Sequence, residues 1–335
     1  MTTPSAGTPE AQAGTRQREK VDEAQGMSVV ARSQAQLIRR RFLRHRAAMT
    51  SLVVLILLTL LAVTSIGVGP IPGWWSKDYA EVGTLVDGGR PTLSVVPAFL
   101  GGDGIHLGEH PFGQDNLGVD YFALTMRGTQ ISLMVAFVVG ILSALIGIVV
   151  GALAGYFRGW VETVLMRLTD VVIILPLLAI VAVLGRQAGN AGPFWLAVVI
   201  ALFTWTGLAR IVRGEFLSLR EKEFVEAARA AGTPAVRIMR KHVLPNLVGV
   251  IIVNTTLGIA MAVILETSLS YLQFGVQAPD TSLGKLVSDY QQSFGPRPWL
   301  FWWPGLFILA MALTVNFIGD GLRDAFDPRQ TKVRD

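Results

Sequence analysis

The sequence predicts an all-α membrane protein with six transmembrane helices. Of its 335 residues, 51% are hydrophobic and only 16% are charged, whereas soluble domains carry closer to a quarter charged residues. The apolar residues are clustered in runs long enough to cross a hydrocarbon core of about 30 Å. The chain has no cysteine, which excludes disulfides, thiolate catalysis and zinc–sulfur sites.

Residues 1–46 are predicted to be a cytoplasmic, mostly disordered segment that ends in a basic anchor. The first 36 residues are polar and contain few large apolar side chains. Five arginines between Arg39 and Arg46 then come directly before the first apolar run. Because arginines at this position favour retention in the cytoplasm, they orient the first transmembrane helix, 47–68.

Charge and hydropathy divide the rest of the chain into a loop, a core membrane domain and a tail. A polar extracytoplasmic loop, 69–127, precedes a core transmembrane domain of five helices, 128–320, and a cytoplasmic tail, 321–335. The five core helices are expected within 128–157, 165–185, 194–209, 243–265 and 299–319. Most Lys and Arg residues then lie on the same side as the two termini, which places both termini in the cytoplasm.

Small and charged residues predict how the core helices pack. Three glycines recur every four residues in the second helix: Gly147, Gly151 and Gly155. Such a face of small residues lets a neighbouring helix approach closely. In the third helix, Arg167 and Asp170 are three residues apart and are expected to pair. Pro176 is expected to kink the same helix.

The segment 221–242, between the fourth and fifth helices, is predicted to form two short helices joined by a tight turn. The first is expected over 222–231, where Phe224 and Ala231 recur at helical spacing on one face with Ala228. Gly232 follows, where a helix C-terminus favours a left-handed residue. Four alanines leave one flank with little side-chain bulk: Ala227, Ala228, Ala230 and Ala231. This flank suits docking into the cleft of a partner protein; a basic loop that only sets topology is the alternative.

The second short helix is expected over 235–242. Thr233 and Pro234 suit its N-cap and its first turn. Leu244 and Pro245 are expected to interrupt it before the fifth transmembrane helix. The pair resembles a helix-turn-helix, yet nucleic-acid binding is excluded because membrane helices tether both ends of the motif within a few residues.

The chain lacks the sites that would let it drive transport or catalysis by itself. It has no GxxxxGK[ST] phosphate loop, so we do not expect it to hydrolyse ATP. No ionisable residue falls near the middle of a predicted helix, which disfavours a proton- or sodium-coupled carrier. His106 and His110 are four residues apart, but Gly108 breaks any helix that would align them, so no metal site is assigned.

The second outer loop, 267–298, is apolar for a loop. Gly275, Pro279 and Gly284 interrupt it as helix breakers, and Trp299 follows at the expected membrane interface. We expect this loop to fold back onto the outer face as a gate or lining. Non-helical backbone is tolerated there only where protein or water covers it.

Four segments resemble the permease subunits of ATP-binding-cassette (ABC) importers that work with a binding protein. Residues 226–246, with EAA, a following glycine and LPN, resemble their cytoplasmic EAA loop. Residues 112–120, 265–275 and 316–329 are similar to three elements of the oligopeptide/dipeptide permeases: FGTDxxGRD, ILEAxLSFLGLG and NLLGDGLRDALDPR. Five outer positions depart from that pattern: Val119, Gln130, Gln273, Ala278 and Leu283.

The resemblance implies a fold and a set of coupling residues. The fold is that of a type I ABC importer permease with cytoplasmic EAA coupling helices, and the subunit is the C-type one of a paired oligopeptide or dipeptide permease. In that family the coupling helices dock into a groove on an ATPase subunit. The residues that the resemblance assigns to coupling are Phe224, Glu226, Ala227, Ala228, Gly232, Arg237, Leu244 and Pro245.

The resemblance also implies partners, location and cargo. The chain is then a non-catalytic subunit in the cytoplasmic membrane that binds no cofactor itself. It would work with a homologous permease as a heterodimer, with two cytoplasmic ATPases that bind ATP and Mg, and with an extracytoplasmic solute-binding protein. Short peptides are the expected cargo, carried by alternating access. The alternatives are a nickel chelate or glutathione as cargo, a self-sufficient secondary transporter, and a membrane scaffold without transport.

Overall fold

The computed structural model of the chain describes residues 34–94, 104 and 106–327. The predicted all-α class is confirmed: four helices are long and apolar enough to cross a membrane. Two further pairs of helices are bent, and the number rises to six if each pair counts as one span. Most of the segment predicted to be disordered, and the predicted tail from 328 onward, lie outside the described residues.

The basic anchor that ends the predicted 1–46 segment is helical. Helices α1 (Gln34–Arg44) and α2 (Arg46–Ile66) are separated by His45. The ring Nδ1 of His45 accepts a hydrogen bond from the N–H of Ala48 at 3.1 Å, which caps the first turn of α2. Tertiary packing accounts for α1, because its half-buried Phe42 contacts the main hydrophobic core.

The predicted outer loop is partly structured. Strands β1 (Gly67–Val68) and β2 (Ile71–Pro72) form a small antiparallel hairpin after α2. Helix α3 (Tyr121–Phe157) begins before residue 128, where the sequence placed its start. The reason is a cap: Oδ1 of Asp120 accepts a hydrogen bond from the N–H of Ala123 at 2.8 Å.

The third and fourth predicted spans are both bent. Helices α4 (Gly159–Ile174) and α5 (Leu177–Asn190) meet at 84° around Pro176. A proline has no N–H to donate and clashes with the preceding turn, so the expected kink occurs as a complete break. Helices α6 (Pro193–Thr204) and α7 (Thr206–Arg220) form the second pair, bent by 45°.

The charged segment after α7 forms a hairpin. Helix α8 (Glu223–Ala230) is followed by a turn and by α9 (Ala235–Ile238). A π-helical stretch, Met239–Val243, then joins α9 to α10 (Leu244–Tyr271). The chain from Ala235 to Tyr271 is therefore one continuous helical span.

The C-terminal part closes the bundle. Helix α11 (Leu283–Tyr290) packs against α10, α3 and α12 (Trp299–Phe326), with Leu283 and Leu286 buried. The apolar segment 267–298 thus folds back onto the bundle; its place on the outer face stays a prediction. Helix α12 continues past residue 319, so the start of the predicted tail is helical.

The long helix α3 lies at the centre of the bundle and packs against α2, α6, α7 and α10. One hydrophobic core surrounds most of its length, and a second, smaller core lies beneath the hairpin. Large apolar side chains on the outer faces of α2, α3 and α12 are exposed. This distribution is typical of helices that face lipid instead of water.

Candidate functional site

The hairpin has a buried base that fixes it to one end of the bundle. Val225 of α8 is fully buried, as is Ile238 of α9. Both belong to the second hydrophobic core, whose other members come from α3, α7, the π-helical stretch and α10: Tyr156, Val212, Phe216, Met239, Val243 and Leu247. This base therefore packs the hairpin against α3, α7 and α10.

The turn between α8 and α9 is a Schellman motif. Gly232 has a φ of +75°, in the left-handed region that the sequence predicts for it. Its N–H donates to the carbonyl of Arg229 at 3.0 Å, and the N–H of Thr233 donates to the carbonyl of Ala228 at 3.1 Å. Pro234, and not Thr233, stands at the N-cap position of α9, so the predicted cap residue is wrong. The backbone N–H of Thr233 instead caps the C-terminal end of α8.

The face of α8 opposite the base is exposed. Phe224 is 42% exposed, and Glu226 and Gly232 are exposed too. Three of the four alanines are exposed and Ala228 is half-buried: Ala227, Ala230 and Ala231 make up the open flank. Of the three residues predicted to share a face, Phe224 and Ala231 are thus exposed and Ala228 is half-buried. Sequence reasoning missed Val225, although it is the one large aliphatic residue in α8.

The second half of the hairpin differs from the prediction. Leu244 and Pro245 do not interrupt the helix: they follow a π-helical stretch, and Pro245 lies in the first turn of α10, where a proline is tolerated. The side-chain amide of Asn246 donates to the carbonyl of His242 at 2.6 Å, one turn earlier. Arg237 and Pro245 are exposed, and Leu244 is half-buried.

Three ion pairs join α7 to α4 and to the α3–α4 junction: Arg158–Glu221, Arg213–Glu162 and Arg210–Asp170. The Nη2 of Arg158 lies 2.5 Å from Oε1 of Glu221, which directly follows α7. Asp170 pairs with Arg210 at 2.7 Å and not with Arg167, because α7 lies alongside α4. Exposed pairs of this kind contribute little stability, yet they link the segment before α8 to α4.

The glycines of α3 face α7 at close range. An ideal Cβ on Gly147 would lie 2.9 Å from the carbonyl oxygen of Trp205. On Gly151 it would lie 2.5 Å from the carbonyl oxygen of Ala209, and on Gly155 it would lie 2.5 Å from Cβ of Phe216. No real side chain fits at these distances, so the two helices can pack this closely only with glycine at all three positions.

A cavity of about 440 Å³ lies between α3, α6, α7 and α10. Its lining is apolar apart from a few hydroxyl and amide groups, and it contains no charged side chain. Asn254 and Ser143 supply polar groups, and Phe203 supplies an aromatic one. Met261 in the lining is 65% exposed, so the cavity opens at the surface of the bundle.

A buried carboxylate lies at the end of the bundle opposite the hairpin. Glu266 of α10 is 0% exposed; its Oε2 accepts from Oγ of Ser132 at 3.0 Å and its Oε1 accepts from Oγ of Ser270 at 2.7 Å. Ser132 in turn accepts from the N–H of Leu283, and Ser270 from the N–H of Val276. Glu266 thus ties α10 to α3 and to the folded-back loop. From the sequence, Glu266 could be recognised only as a glutamate near the end of a predicted helix, and its hydrogen bonds were not predicted.

A second polar cluster joins the segment before α3 to α11. Oδ2 of Asp115 accepts from the hydroxyl of Tyr290 at 2.9 Å, and burial, reinforced by Asp115, raises the pKa of that hydroxyl, which keeps it a donor. Nδ1 of His110 lies 2.8 Å from Oδ2 of Asp120, and its Nε2 lies 2.9 Å from Nζ of Lys77. Within the described residues no group of three or more potential ligands could hold a metal ion.

Comparison with known families agrees with this architecture. The model described as "Binding-protein-dependent transport system inner membrane component" matches residues 147–332, more than half of the chain. The chain belongs to this family. A second model, the N-terminal transmembrane domain of oligopeptide transport permease C, matches residues 33–79, which include α1 and α2. This family member is therefore a multi-pass inner-membrane protein and a non-catalytic component of a transport system.

Individual relatives extend the match along nearly the whole chain. It is 36% identical over 303 residues to the oligopeptide transport system permease protein OppC of Mycobacterium tuberculosis, covering 90% of this chain and 97% of that protein. It is 34% identical over 308 residues to OppC of Haemophilus influenzae, covering 92% of this chain and 93% of that protein. A putative peptide permease protein of Brucella ovis is 35% identical over 291 residues, covering 86% of this chain and 89% of that protein.

Proposed function

We propose that this family member is the permease subunit of an ATP-driven importer that carries short peptides across the cytoplasmic membrane. The observation that carries the proposal is the hairpin, with an exposed alanine flank on a base buried against three long helices. The chain has no phosphate loop of its own, so the energy enters from separate subunits. Two cytoplasmic ATPases would hold the ATP and Mg that this chain does not bind.

The coupling surface consists of exposed or half-exposed residues of the hairpin: Phe224, Glu226, Ala227, Ala228, Gly232, Arg237, Leu244 and Pro245. A groove on each ATPase would receive the low-profile flank of α8 or its counterpart in a homologous permease. When the ATPases close, the hairpin follows, and its buried base displaces the ends of α3, α7 and α10. The close glycine contacts at Gly147, Gly151 and Gly155 keep α3 and α7 together during that movement. Both termini lie in the cytoplasm in this arrangement.

The cargo and the second permease are inferred from the relatives and the cavity. The relatives carry the names of oligopeptide and peptide permeases. The cavity of about 440 Å³ is of the size that small-molecule sites have, and its charge-free lining suits passage rather than tight binding. Because the cavity opens at the surface of the bundle, a homologous permease would close it in a heterodimer. A solute-binding protein would deliver peptides at the end opposite the hairpin.

Reconstitution tests this function. The chain, its co-purifying subunits and a peptide of two to five residues (roughly the size that such a cavity admits) are placed in proteoliposomes. We expect uptake that requires ATP and Mg and that stops when the ATPases are omitted. Peptide uptake by the chain alone without nucleotide would indicate a secondary transporter, and the absence of any co-purifying ATPase would indicate a scaffold. Competition by glutathione or a nickel chelate, but not by peptides, would reassign the cargo.

A further inference from the structure

Helix α1 has two different faces, and one of them is attached to the C-terminal end of α12. Phe42 packs against the main core, and Nη1 of Arg41 donates to the carbonyl of Asp327 at 3.1 Å. The ring of His45, just after α1, lies 3.4 Å from the carboxylate of Asp324. The orientation of α1 is therefore fixed, and so is the direction of its opposite face.

The opposite face carries three arginines and a leucine. Arg39, Arg40 and Arg44 are exposed, and Leu43 between them is 52% exposed. Together with Gln36 they line one depression of about 390 Å³, since residues three and four apart lie side by side on a helix. Within the part of the chain that the structure describes, none of these three guanidinium groups forms an ion pair.

This face lies beside the membrane. Helix α1 ends one residue before α2, which is long and apolar enough to span the bilayer. Guanidinium groups bind phosphate oxygens in a bidentate manner, and their aliphatic stems can lie along acyl chains while the charge stays at the surface. An exposed leucine among them suits insertion into the boundary between headgroups and acyl chains.

We propose that Arg39, Arg40, Leu43 and Arg44 form a binding site for the phosphate headgroup of an anionic phospholipid. The arginines contact the headgroup and Leu43 enters the acyl region, which seats α1 in the interface. The charge of the site excludes residues 1–33 as the favoured occupant, because they carry as many acidic as basic residues. Each arginine near an anionic surface contributes on the order of a fivefold preference for the charged lipid.

Native mass spectrometry of the purified full-length chain tests this site. The chain is incubated with equimolar phosphatidylglycerol and phosphatidylcholine, and the bound lipids are counted. We expect the wild type to retain phosphatidylglycerol preferentially. In R39Q/R40Q/R44Q the ratio of bound phosphatidylglycerol to bound phosphatidylcholine should fall by at least about tenfold. The Lys variant R39K/R40K/R44K keeps the charge but not the bidentate geometry, so it should retain only part of the preference.

A matched control separates the site from net charge. Lys222, Arg229 and Arg240 are three exposed cations on the hairpin, and K222Q/R229Q/R240Q removes the same charge. This variant should retain lipid as the wild type does. The proposal is overturned if both Gln triples lose the lipid equally, if R39Q/R40Q/R44Q retains it, or if excess inorganic phosphate displaces it. Binding of an acidic peptide in place of lipid would assign the face to a protein partner.

Discussion

The backbone N–H of Thr233 donates to the carbonyl of Ala228 at 3.1 Å, across the left-handed residue Gly232. This bond ends α8 after two turns and directs the chain into α9. The alanine flank is consequently left open, while Val225 and Ile238 remain in the buried base. The geometry of the proposed coupling surface thus depends on one residue with a positive φ.

Replacement of Gly232 tests that dependence. At a φ of +75° a valine side chain is strained by about 1–2 kcal/mol, so G232V should reorganise the turn. We expect peptide uptake to fall by about tenfold or more while the ATPases continue to hydrolyse ATP. Asparagine tolerates this backbone conformation, and G232N should retain most of the uptake. Normal uptake by G232V in the assembled complex would count against the coupling role.

The charge on the exposed flank is tested at Glu226. Its side chain is exposed, so E226R should leave the folded chain intact. If an ATPase groove receives this flank, the reversed charge should lower ATP-dependent uptake by an order of magnitude or so, since like charges across an interface disfavour docking. E226Q should have the smaller effect. Equal uptake by wild type and E226R, measured with equal amounts of complex, contradicts the surface.

The packing of α3 against α7 leads to a prediction about stability. A methyl group on Gly151 would lie 2.5 Å from the carbonyl oxygen of Ala209, so G151A should destabilise the chain by about 1–3 kcal/mol. A methyl group on Gly305 of α12 would meet nothing within 4 Å. G305A should therefore be neutral or stabilising by up to about 1 kcal/mol. Thermal unfolding in detergent compares the two variants, and similar midpoints for both would refute the close contact.

Glu266 leads to a prediction about the folded-back loop. Removal of its carboxylate in E266A leaves the buried hydroxyls of Ser132 and Ser270 without their acceptor and opens a void. We expect a loss of about 2–5 kcal/mol, and release of the folded-back loop as measured by protease cleavage. E266Q keeps the volume and one acceptor oxygen, and it should lose less than half as much. Equal losses in the two variants would contradict this account, because the retained volume and the retained acceptor would then contribute nothing.

Features that arise from local chemistry were predicted from the sequence. The apolar runs predicted the spans, Gly232 predicted the left-handed turn, and Pro176 predicted the break between α4 and α5. Each signal lies within a few residues of its consequence. A one-dimensional pattern is sufficient in such cases.

Features that depend on distant partners were not predicted. Gln273 ends α10 with a φ of +67° in a second Schellman motif, although glutamine gives no such signal. The N-cap Asp120 of α3 was a local signal that the prediction overlooked, whereas the pairing of Asp170 with Arg210 depends on where α7 lies. The hydrogen bonds of Glu266 join α10 to α3 and to the folded-back loop, which are far apart in the chain. Such relationships appear only once the helices are packed.

One crosslinking measurement tests the central claim most directly. The chain contains no cysteine, so A227C introduces a single thiol on the open flank of α8, and Q292C introduces one on the exposed turn at the opposite end. Each variant is labelled on its thiol with a short photoreactive crosslinker, which needs no particular residue on the partner, assembled into the complex and illuminated. The account predicts that A227C is joined to an ATPase subunit and that Q292C is not. If Q292C is joined to the ATPase, or if A227C remains unjoined in a complex that hydrolyses ATP, the hairpin is not the surface that couples this chain to the ATPase.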